Sequence, residues 1–260
     1  MKKMNDQTIE KEINYLNQIL NIFQKENIQF SSKYIIARYE ENLDWLEKFP
    51  FHKILVFNKG NINIEKFKSI SLPNVGRESH TYLHYIIENY NNLPDVCVFM
   101  QGKIEDHIQN DLKNDYLYIK KMELEAYLFG LSQNFIYLKN LENVSSKWAY
   151  PNFNILTQDV LKNMFKVENP TKSIFSEWFL ENIGEKYPNE NLKIYGGGIF
   201  GIRKDLILSR PITYYQNILS YLNKENAPLE GHFMERSWKY VFYPGDDDKK
   251  IDKIFLKYFS

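Results

Sequence analysis

The stretch that decides the fold is Leu72–His107, which reads LPNVGRESHTYLHYIIENYNNLPDVCVFMQGKIEDH. Turn-forming residues open it, and Glu78 falls in what would be the first turn of a helix, where a carboxylate suits the positive end of the helix dipole. Apolar residues then recur at helical spacing: Leu83, Ile86, Ile87 and Tyr90. After Pro94, the apolar run Val96–Met100 predicts a strand that is covered on both faces.

Polar and titratable residues follow this strand directly: Gln101, Gly102, Lys103, Glu105, Asp106 and His107. In an open α/β sheet, ligands bind just outside the carboxyl ends of the strands. The stretch therefore predicts a binding site at this point, before any family is considered.

Two further strands precede this stretch. Lys33–Arg38 and Lys53–Phe57 are short apolar runs, and the segment 43–46 between them suggests a helix. The alternation of strand and helix up to His107 favours an α/β fold with a parallel sheet and right-handed crossovers.

Later segments continue this pattern with less regularity. The sequence predicts helices over 116–131, 173–183 and 214–222, and a further helix that opens after Pro228. The glycine run Gly196–Gly198 adjoins a predicted strand, and glycines allow a backbone to approach a ligand closely. The run lacks the spacing of either phosphate-loop signature.

The composition excludes some classes of function. The 260 residues include 33 Lys and Arg and 33 Asp and Glu, so no excess of positive charge favours a nucleic-acid partner. The single cysteine, Cys97, cannot form an internal disulfide, which is typical of a reducing compartment. Neither a signal peptide nor a membrane-spanning run of about 20 apolar residues is evident. We therefore expect a cytoplasmic protein, with peripheral contact at the inner face of the membrane left open.

The two ends of the chain differ from the middle. The sequence divides into an N-terminal amphipathic helix at 1–30, a single domain at 31–245 and a basic amphipathic tail at 246–260. The first helix fits either packing on the flank of the domain or a contact in a homodimer. Its apolar stripe consists of Ile9, Ile13, Leu16, Leu20 and Phe23. The tail fits either docking on the domain or binding to anionic lipid.

Motifs at the ends of the predicted strands, taken in order, resemble a known family. YIIARYEENLDWL and ILVFNKG are similar to the first two strands of GT-A glycosyltransferases, and NVGRESHTYLHYIIENY with DVCVFMQG is similar to the next helix and strand of family-2-type enzymes. Together with YGGGIFGIRKDLILSRP and GHFMERSW, they look more closely like the DUF3431 type of uncharacterised glycosyltransferase-like proteins. The resemblance covers about residues 33–243 and implies a GT-A-like mixed, mainly parallel sheet flanked by helices.

The resemblance implies a site for a nucleotide-sugar donor. Tyr39 and Glu40 would lie by the nucleotide base, and Asn58 stands where many relatives have an aspartate that recognises the base. Arg77 would reach the nucleotide.

The expected metal motif is absent from its usual place. Gln101–Lys103 stands where the metal-binding DxD motif usually follows its strand, so no carboxylate pair is there to hold Mn²⁺ or Mg²⁺. Asp106 and His107 could replace the missing metal ligands. Alternatively, Lys103 or Arg203 could neutralise the diphosphate without a metal ion.

Glu235 is the candidate general base. In the motif MERSW it resembles the glutamate that serves as base in inverting enzymes, although Arg236 follows it in place of an aspartate. From the residues alone, the default interpretation is that Glu235 caps its helix or pairs with Lys239. The resemblance also assigns residues to the acceptor or diphosphate side: Gly197, Gly198, Arg203, His232, Arg236 and Trp238.

The sequence therefore predicts a glycosyltransferase that moves a sugar, with inversion, from a nucleotide-sugar to a cell-surface glycan or its lipid-linked precursor. One alternative is a nucleotidyltransferase on a related fold, which would need a metal-binding carboxylate pair. Another is a non-catalytic glycan-binding protein.

Overall fold

A six-stranded sheet organises the chain in the computed structural model, which describes residues 6–105, 115–136, 175–184 and 194–242. The strands are β1 (Ser32–Arg38), β2 (Ile54–Asn58), β3 (Ser69–Ser71), β4 (Val96–Gln101), β5 (Leu131–Ile136) and β6 (Ile194–Arg203). The helices are α1 (Asp6–Lys25), α2 (Arg77–Glu88), α3 (Asp115–Phe129), α4 (Phe175–Ile183), α5 (Lys204–Leu208), α6 (Ile212–Leu222) and α7 (Leu229–Phe242). Short 3₁₀ turns cover Asp44–Lys48 and Phe51–Lys53.

The sheet is mixed and mainly parallel, as predicted. Its strand order is β3-β2-β1-β4-β6-β5. The first four strands in that order run parallel to one another, whereas β6 is antiparallel to both β4 and β5. The chain builds outward from β1 to β3 and then crosses back to β4 on the other side of β1. The strand order therefore reverses between β1 and β4, which is where open α/β sheets bind ligands.

The central strands are buried on both faces, which explains their continuous apolar sequences. Ile35 and Ala37 of β1 point into a core shared with α2, α4, α6 and α7. Tyr34 and Ile36 point the other way, into a core shared with α3 and the first 3₁₀ turn. Because alternate residues of a strand face opposite sides of the sheet, two cores require apolar residues at every position.

Most elements predicted from sequence are confirmed, with three differences. β3 was not predicted because it has only three residues, all exposed and paired with β2 alone. The segment after Asn42 forms a 3₁₀ turn in place of the expected α-helix. The helix predicted to run to Leu131 ends at Phe129, because Gly130 has a φ of 91° and turns the chain into β5.

The N-terminal helix α1 packs on the flank of the domain, in line with the first of its two interpretations. Leu16, Ile19 and Phe23 form a small core with residues of α3. The stripe differs from the expected one, since Ile19 is fully buried whereas Ile13 is 41% exposed. A homodimer contact stays a prediction.

The basic tail at 246–260 lies outside the described residues, so both of its interpretations stay open. Within the described ranges, no helix combines the length and apolar character needed to span a membrane.

A buried carboxylate ties α3 to the amino ends of β1 and β2. Glu123 is fully buried and accepts hydrogen bonds from the Ser32 hydroxyl and from the Tyr34 hydroxyl at 3.1 Å. It also pairs with Lys53 at 3.0 Å and with Lys120 at 2.6 Å. Burial alone would raise the pKa of Glu123, but the two ammonium groups and the Ser32 hydroxyl outweigh burial and hold the pKa below its ordinary value of 4.5.

Replacing Glu123 by Gln should lower the free energy of unfolding by about 2 kcal/mol, because two partly buried ammonium groups lose their counter-charge. The lowered pKa means that this contribution is fully present above the ordinary value of 4.5 and is lost as the pH falls through the folded-state value. Urea denaturation at pH 7 and at pH 3 should therefore find a smaller difference between the two proteins at pH 3.

The matched control for Glu123 is Glu47→Gln, which breaks the exposed ion pair between Glu47 and Lys66. That change should cost less than about 1 kcal/mol. Equal losses for the two variants would contradict a structural role for the buried carboxylate.

Candidate functional site

The candidate site lies at the edge of the sheet where the carboxyl ends of β1 and β4 meet the amino-terminal half of β6. Ala37 of β1 is in register with Gln101 of β4. Phe99 of β4 is in register with Phe200 of antiparallel β6, which brings Gln101 to the level of Gly198. The amino-terminal turns of α2 and α7 face each other at this edge, since the side chain of Arg77 contacts Gly231.

Two successive residues in the left-handed region begin α2. Gly76 has a φ of 61° and Arg77 a φ of 53°. Their N–H groups donate to the carbonyl oxygens of Glu225, at 2.8 Å, and Asn226, at 3.2 Å. A left-handed conformation is strained for a residue with a side chain, and such strain occurs most often at functional sites.

This turn directs the Arg77 side chain onto α7. Its Nη1 lies 3.2 Å from Nε2 of His232, and its Nε lies 3.7 Å from Oε2 of Glu78. A Cβ atom added at Gly231 would lie 3.1 Å from Cδ of Arg77, so the glycine allows the first turn of α7 to approach the arginine.

His232 connects Arg77 to Glu235. An arginine can only donate hydrogen bonds, so Nε2 of His232 is the acceptor and the ring proton resides on Nδ1. That Nδ1 faces Oε2 of Glu235 at 3.9 Å. Arg236 lies 3.9 Å from the same carboxylate oxygen and donates from Nη1 to the carbonyl oxygen of His232 at 2.8 Å. The arrangement is a chain of contacts from one arginine through an imidazole to a carboxylate.

The carboxylate of Glu235 is ionised in this environment. Its side chain is 16% exposed, and burial by itself would raise its pKa. The imidazole of His232 and the guanidinium groups of Arg236 and Arg77 outweigh burial and hold the pKa of Glu235 well below its ordinary value.

A second carboxylate, that of Glu78, lies beside the start of β6. A Cβ atom added at Gly198 would lie 3.3 Å from both Oε1 of Glu78 and Nε2 of Gln101. The Tyr82 hydroxyl donates to the carbonyl oxygen of Gly198 at 2.8 Å. Burial raises the pKa of Tyr82, and the charges of Glu78 and Glu235 raise it further. We refer to the residues that meet here as the Arg77 cluster: Arg77, Glu78, Gln101, Gly198, His232, Glu235 and Arg236.

The ends of β1 and β2 are tied together by a buried arginine that sequence reasoning missed. Arg38 donates from Nη1 to Oδ1 of Asn58 at 2.7 Å and to the carbonyl oxygen of Tyr39 at 3.2 Å. The amide nitrogen of Asn58 donates to the carbonyl oxygens of Gly60, at 3.2 Å, and Ile62, at 3.0 Å. Both groups of the Asn58 amide are therefore engaged inside the chain, where they hold the loop after β2.

Glu41 is a second residue that sequence reasoning missed, and it lies at the point where the strand order reverses. Its Oε2 accepts the N–H of Tyr39 at 2.7 Å and would lie 2.6 Å from a Cβ atom added at Gly102. Trp45 donates from its indole nitrogen to the carbonyl oxygen of Gly102 at 2.9 Å. The predicted residues Tyr39 and Glu40 are exposed beside it. The sequence offers two adjacent glutamates after β1 and no signal that separates their roles.

Two predicted site residues lie elsewhere. Arg203 is paired with Val96, the first residue of β4, because β6 runs antiparallel and its two ends lie at opposite edges of the sheet. It is five residues beyond Gly198, which corresponds to roughly 16 Å along a strand. There Arg203 pairs with Asp205 at 2.7 Å and lines a cavity of about 460 Å³. Trp238 is fully buried in the core. It packs on Tyr82, Phe200 and Phe242.

The remaining predicted residues are less defined. Gly197 belongs to β6, and Lys103 is exposed in the loop after β4. Asp106 and His107, the candidate metal ligands, lie outside the described residues. Among the residues that the structure does describe, no three His, Cys, Asp or Glu side chains come together as a metal site. The predicted Mn²⁺ or Mg²⁺ site stays a prediction.

The left-handed turn before α2 can be tested by replacing Gly76 with Ala. A Cβ atom there would lie 2.5 Å from the carbonyl oxygen of Leu222, and the φ of 61° would also be strained. We expect a loss of about 3 kcal/mol in the free energy of unfolding, because the backbone conformation and the contact both become unfavourable. Urea denaturation measures this loss.

Gly184, at the end of α4, provides the control for that prediction. Its φ is 78°, but a Cβ atom there would meet nothing within 4 Å. Gly184→Ala should therefore cost only the conformational part, about 1 kcal/mol. A loss for Gly76→Ala no larger than that for Gly184→Ala would mean that the turn has room to relax.

Comparisons with known proteins identify the family of the chain and little else. No significant match is found among curated proteins or among solved structures, so the likeness to glycosyltransferases stays a prediction. The model of a family described as "Protein of unknown function (DUF3431)" matches residues 34–252, which confirms the more specific of the two resemblances. The chain belongs to the DUF3431 family.

Proposed function

We propose that the protein is a glycosyltransferase that uses a nucleotide-sugar donor and acts on a cell-surface glycan or its lipid-linked precursor. The observation that carries the proposal is the Arg77 cluster, at the sheet edge where ligands are expected. In it Arg236 lies 3.9 Å from the Glu235 carboxylate, and Arg77 contacts the His232 ring that faces the same carboxylate. Glycosyl transfer needs these two kinds of group, a base for the acceptor hydroxyl and cations for the leaving diphosphate. The resemblance of the strand-end motifs to GT-A enzymes supports the same reaction.

Arg77 and Arg236 are the groups best placed to bind the diphosphate. Guanidinium groups bind phosphate oxygens through two parallel hydrogen bonds, and such charge-assisted bonds are about twice as strong as neutral ones. Arg203, an earlier candidate for this role, lies at the opposite edge of the sheet. Lys103 follows β4 at the right edge and is the other candidate from the sequence.

Glu235 acts as general base in this proposal, and the donor itself prepares it. With His232, Arg236 and Arg77 around it, the pKa of Glu235 is too low for an effective base. A bound diphosphate would attract both guanidinium groups, and the charge that holds the pKa of Glu235 down would then be shared with the phosphates. The pKa of Glu235 would rise toward the range in which a carboxylate accepts a proton efficiently.

A non-catalytic glycan-binding protein is the second candidate, and the low pKa of Glu235 is the observation that favours it. In that case Glu235 would serve only as a fixed partner for Arg77 and Arg236. A nucleotidyltransferase would require a metal-binding carboxylate pair, and Gln101–Lys103 stands where that pair is expected.

Binding of a nucleoside diphosphate is the first expectation to test. Wild-type protein should be stabilised by one of the diphosphates of uridine, guanosine, adenosine or thymidine, by about 2.7 kcal/mol at 100 times the dissociation constant. Arg77→Met should abolish the thermal shift, because it removes the guanidinium from the cluster. Lys68→Met, which removes an exposed charge near β3, should leave it unchanged. Absence of any shift for the wild-type protein would favour the glycan-binding protein.

Turnover then separates an enzyme from a binding protein. Glu235→Gln keeps the shape of the side chain but cannot accept a proton, so we expect release of nucleoside diphosphate from the matching nucleotide-sugar to fall by about 10²- to 10⁴-fold. Affinity for the nucleotide should persist in the variant.

Glu88→Gln is the matched control for turnover, since Glu88 is exposed at the far end of α2, roughly 15 Å from Glu78 along the helix. It should leave turnover unchanged. Full activity of Glu235→Gln would refute Glu235 as the base.

A further inference from the structure

Lys59, directly after β2, is a buried lysine whose role is not explained by the proposed reaction. Its N–H donates to the carbonyl oxygen of Arg38 at 2.8 Å, and the residue is only 9% exposed. Its Nζ donates to the carbonyl oxygen of Val75 at 2.6 Å and to that of Arg77. The ammonium group thus spans the two carbonyl groups on either side of Gly76.

These two carbonyl groups belong to a strained turn of the backbone. Gly76 and Arg77 are both left-handed, and a left-handed conformation is unfavourable for an arginine. Two carbonyl oxygens that converge on one point repel each other unless a cation lies between them. A buried lysine is also unfavourable unless its donors are satisfied, so the ammonium group and the turn stabilise each other.

The conformation that Lys59 supports determines where Arg77 points. In the left-handed state the guanidinium lies 3.2 Å from His232 and the side chain packs on Gly231. A right-handed Arg77 would start α2 with a different direction of its Cα–Cβ bond, and the guanidinium would leave His232. The position of the Arg77 guanidinium therefore depends on the hydrogen bonds that Lys59 donates to the carbonyl oxygens of Val75 and Arg77.

We propose that Lys59 is a positioning residue of the candidate site, whose ammonium group holds Arg77 in the left-handed conformation that presents its guanidinium to an anionic ligand. This inference rests on the proposed function for the identity of the ligand as a diphosphate. It assigns to Lys59 no contact with that ligand.

The protonation of the Lys59 amine depends on pH, and this dependence allows the inference to be tested. Burial lowers the pKa of Lys59 to about 8, and Glu78 opposes that effect. The other titratable groups that face it are His80 and His84, also on α2. Burial, with a smaller effect of Lys59, lowers the pKa of both imidazoles, that of His80 to about 4. Neither histidine therefore titrates near pH 8, where Lys59 does.

The experiment measures the affinity of inorganic pyrophosphate for five proteins between pH 6.5 and pH 9.5 by calorimetry: wild type, Lys59→Met, Lys59→Arg, Lys68→Met and Arg77→Met. At pH 7, Lys59→Met should bind about tenfold more weakly than wild type, because the turn loses two charge-assisted hydrogen bonds. Lys59→Arg should keep the wild-type affinity at pH 7, and Lys68→Met is the exposed control. Comparing proteins at the same pH cancels the ionisation of pyrophosphate itself.

The ratio of wild-type to Lys59→Met affinity should fall toward one as the pH rises through about 8, the pKa of Lys59. Lys59→Arg should retain its affinity over the whole range, since an arginine keeps its charge. Unfolding would not explain the loss: the pKa of Lys59 is lower in the folded chain than its ordinary value of 10.5, so its contribution to stability rises with pH over that interval.

A crystal structure of Lys59→Met provides a readout that is independent of binding, and a negative φ at Arg77 with loss of the contact to His232 is expected. A left-handed Arg77 in that structure, or equal affinity of Lys59→Met and wild type at pH 7, would overturn the inference.

Arg77→Met separates this failure from that of the proposed function. If Arg77→Met binds pyrophosphate as tightly as wild type, the anion site itself is wrong. If Arg77→Met loses affinity and Lys59→Met does not, only the role of Lys59 is wrong. Should Lys59→Met fail to fold, Lys59→Arg carries the test, and loss of its affinity above pH 8 in step with wild type would overturn the inference.

Discussion

The parallel pairing of β1 with both β2 and β4 is the constraint on which the rest of the structure depends. A strand paired on both sides and covered on both faces has no exposed surface, so β1 must be apolar from Tyr34 to Ala37. Polar chemistry is then restricted to the ends of the strands. At the amino ends, the buried Glu123 joins β1, β2 and α3. At the carboxyl ends, Arg38 and Glu41 organise the loops.

The two edges of the sheet use buried charge for different purposes. The Glu123 carboxylate lies 3.0 Å from Lys53 and 2.6 Å from Lys120, and these short ion pairs tie α3 to the amino end of β2. In the Arg77 cluster the charged atoms are farther apart, at 3.7 Å between Arg77 and Glu78 and at 3.9 Å between Arg236 and Glu235. A charged ligand that enters such a cluster would compete with the carboxylates for the guanidinium groups. The looser arrangement is at the edge where the strand order reverses.

Much of the fold follows from the sequence, because its strong signals are local. The apolar run at Val96–Met100 and the helix beginning near Glu78 needed only periodicity and turn residues, and both are confirmed. No local sequence signal shows that β6 runs antiparallel to β4. This direction places Arg203, at the end of β6, at the edge of the sheet opposite the candidate site. Trp238 was misplaced for a related reason: α7 is buried on nearly every side, so no amphipathic pattern separated core residues from site residues. Within the site, Gly76 indicated a turn in the sequence. The left-handed conformation of Arg77, and the contact of its carbonyl oxygen with Lys59 after β2, depend on contacts between distant segments.

The charges of the Arg77 cluster restrict the kind of ligand that it accepts. A neutral sugar could hydrogen-bond to the rim but would leave Arg77 and Arg236 associated with Glu235 and Glu78, since it offers no charge to compete with a carboxylate. An anionic group would offer the guanidinium groups a partner equivalent to those carboxylates, and the pKa of Glu235 would then rise. Under the proposed function, the strained turn at Arg77 would place a guanidinium group at this edge of the sheet. An anion bound there would also alter the proton affinity of Glu235. The proposed nucleotide-sugar donor carries a diphosphate, and it would therefore both bind this cluster and raise the proton affinity of Glu235.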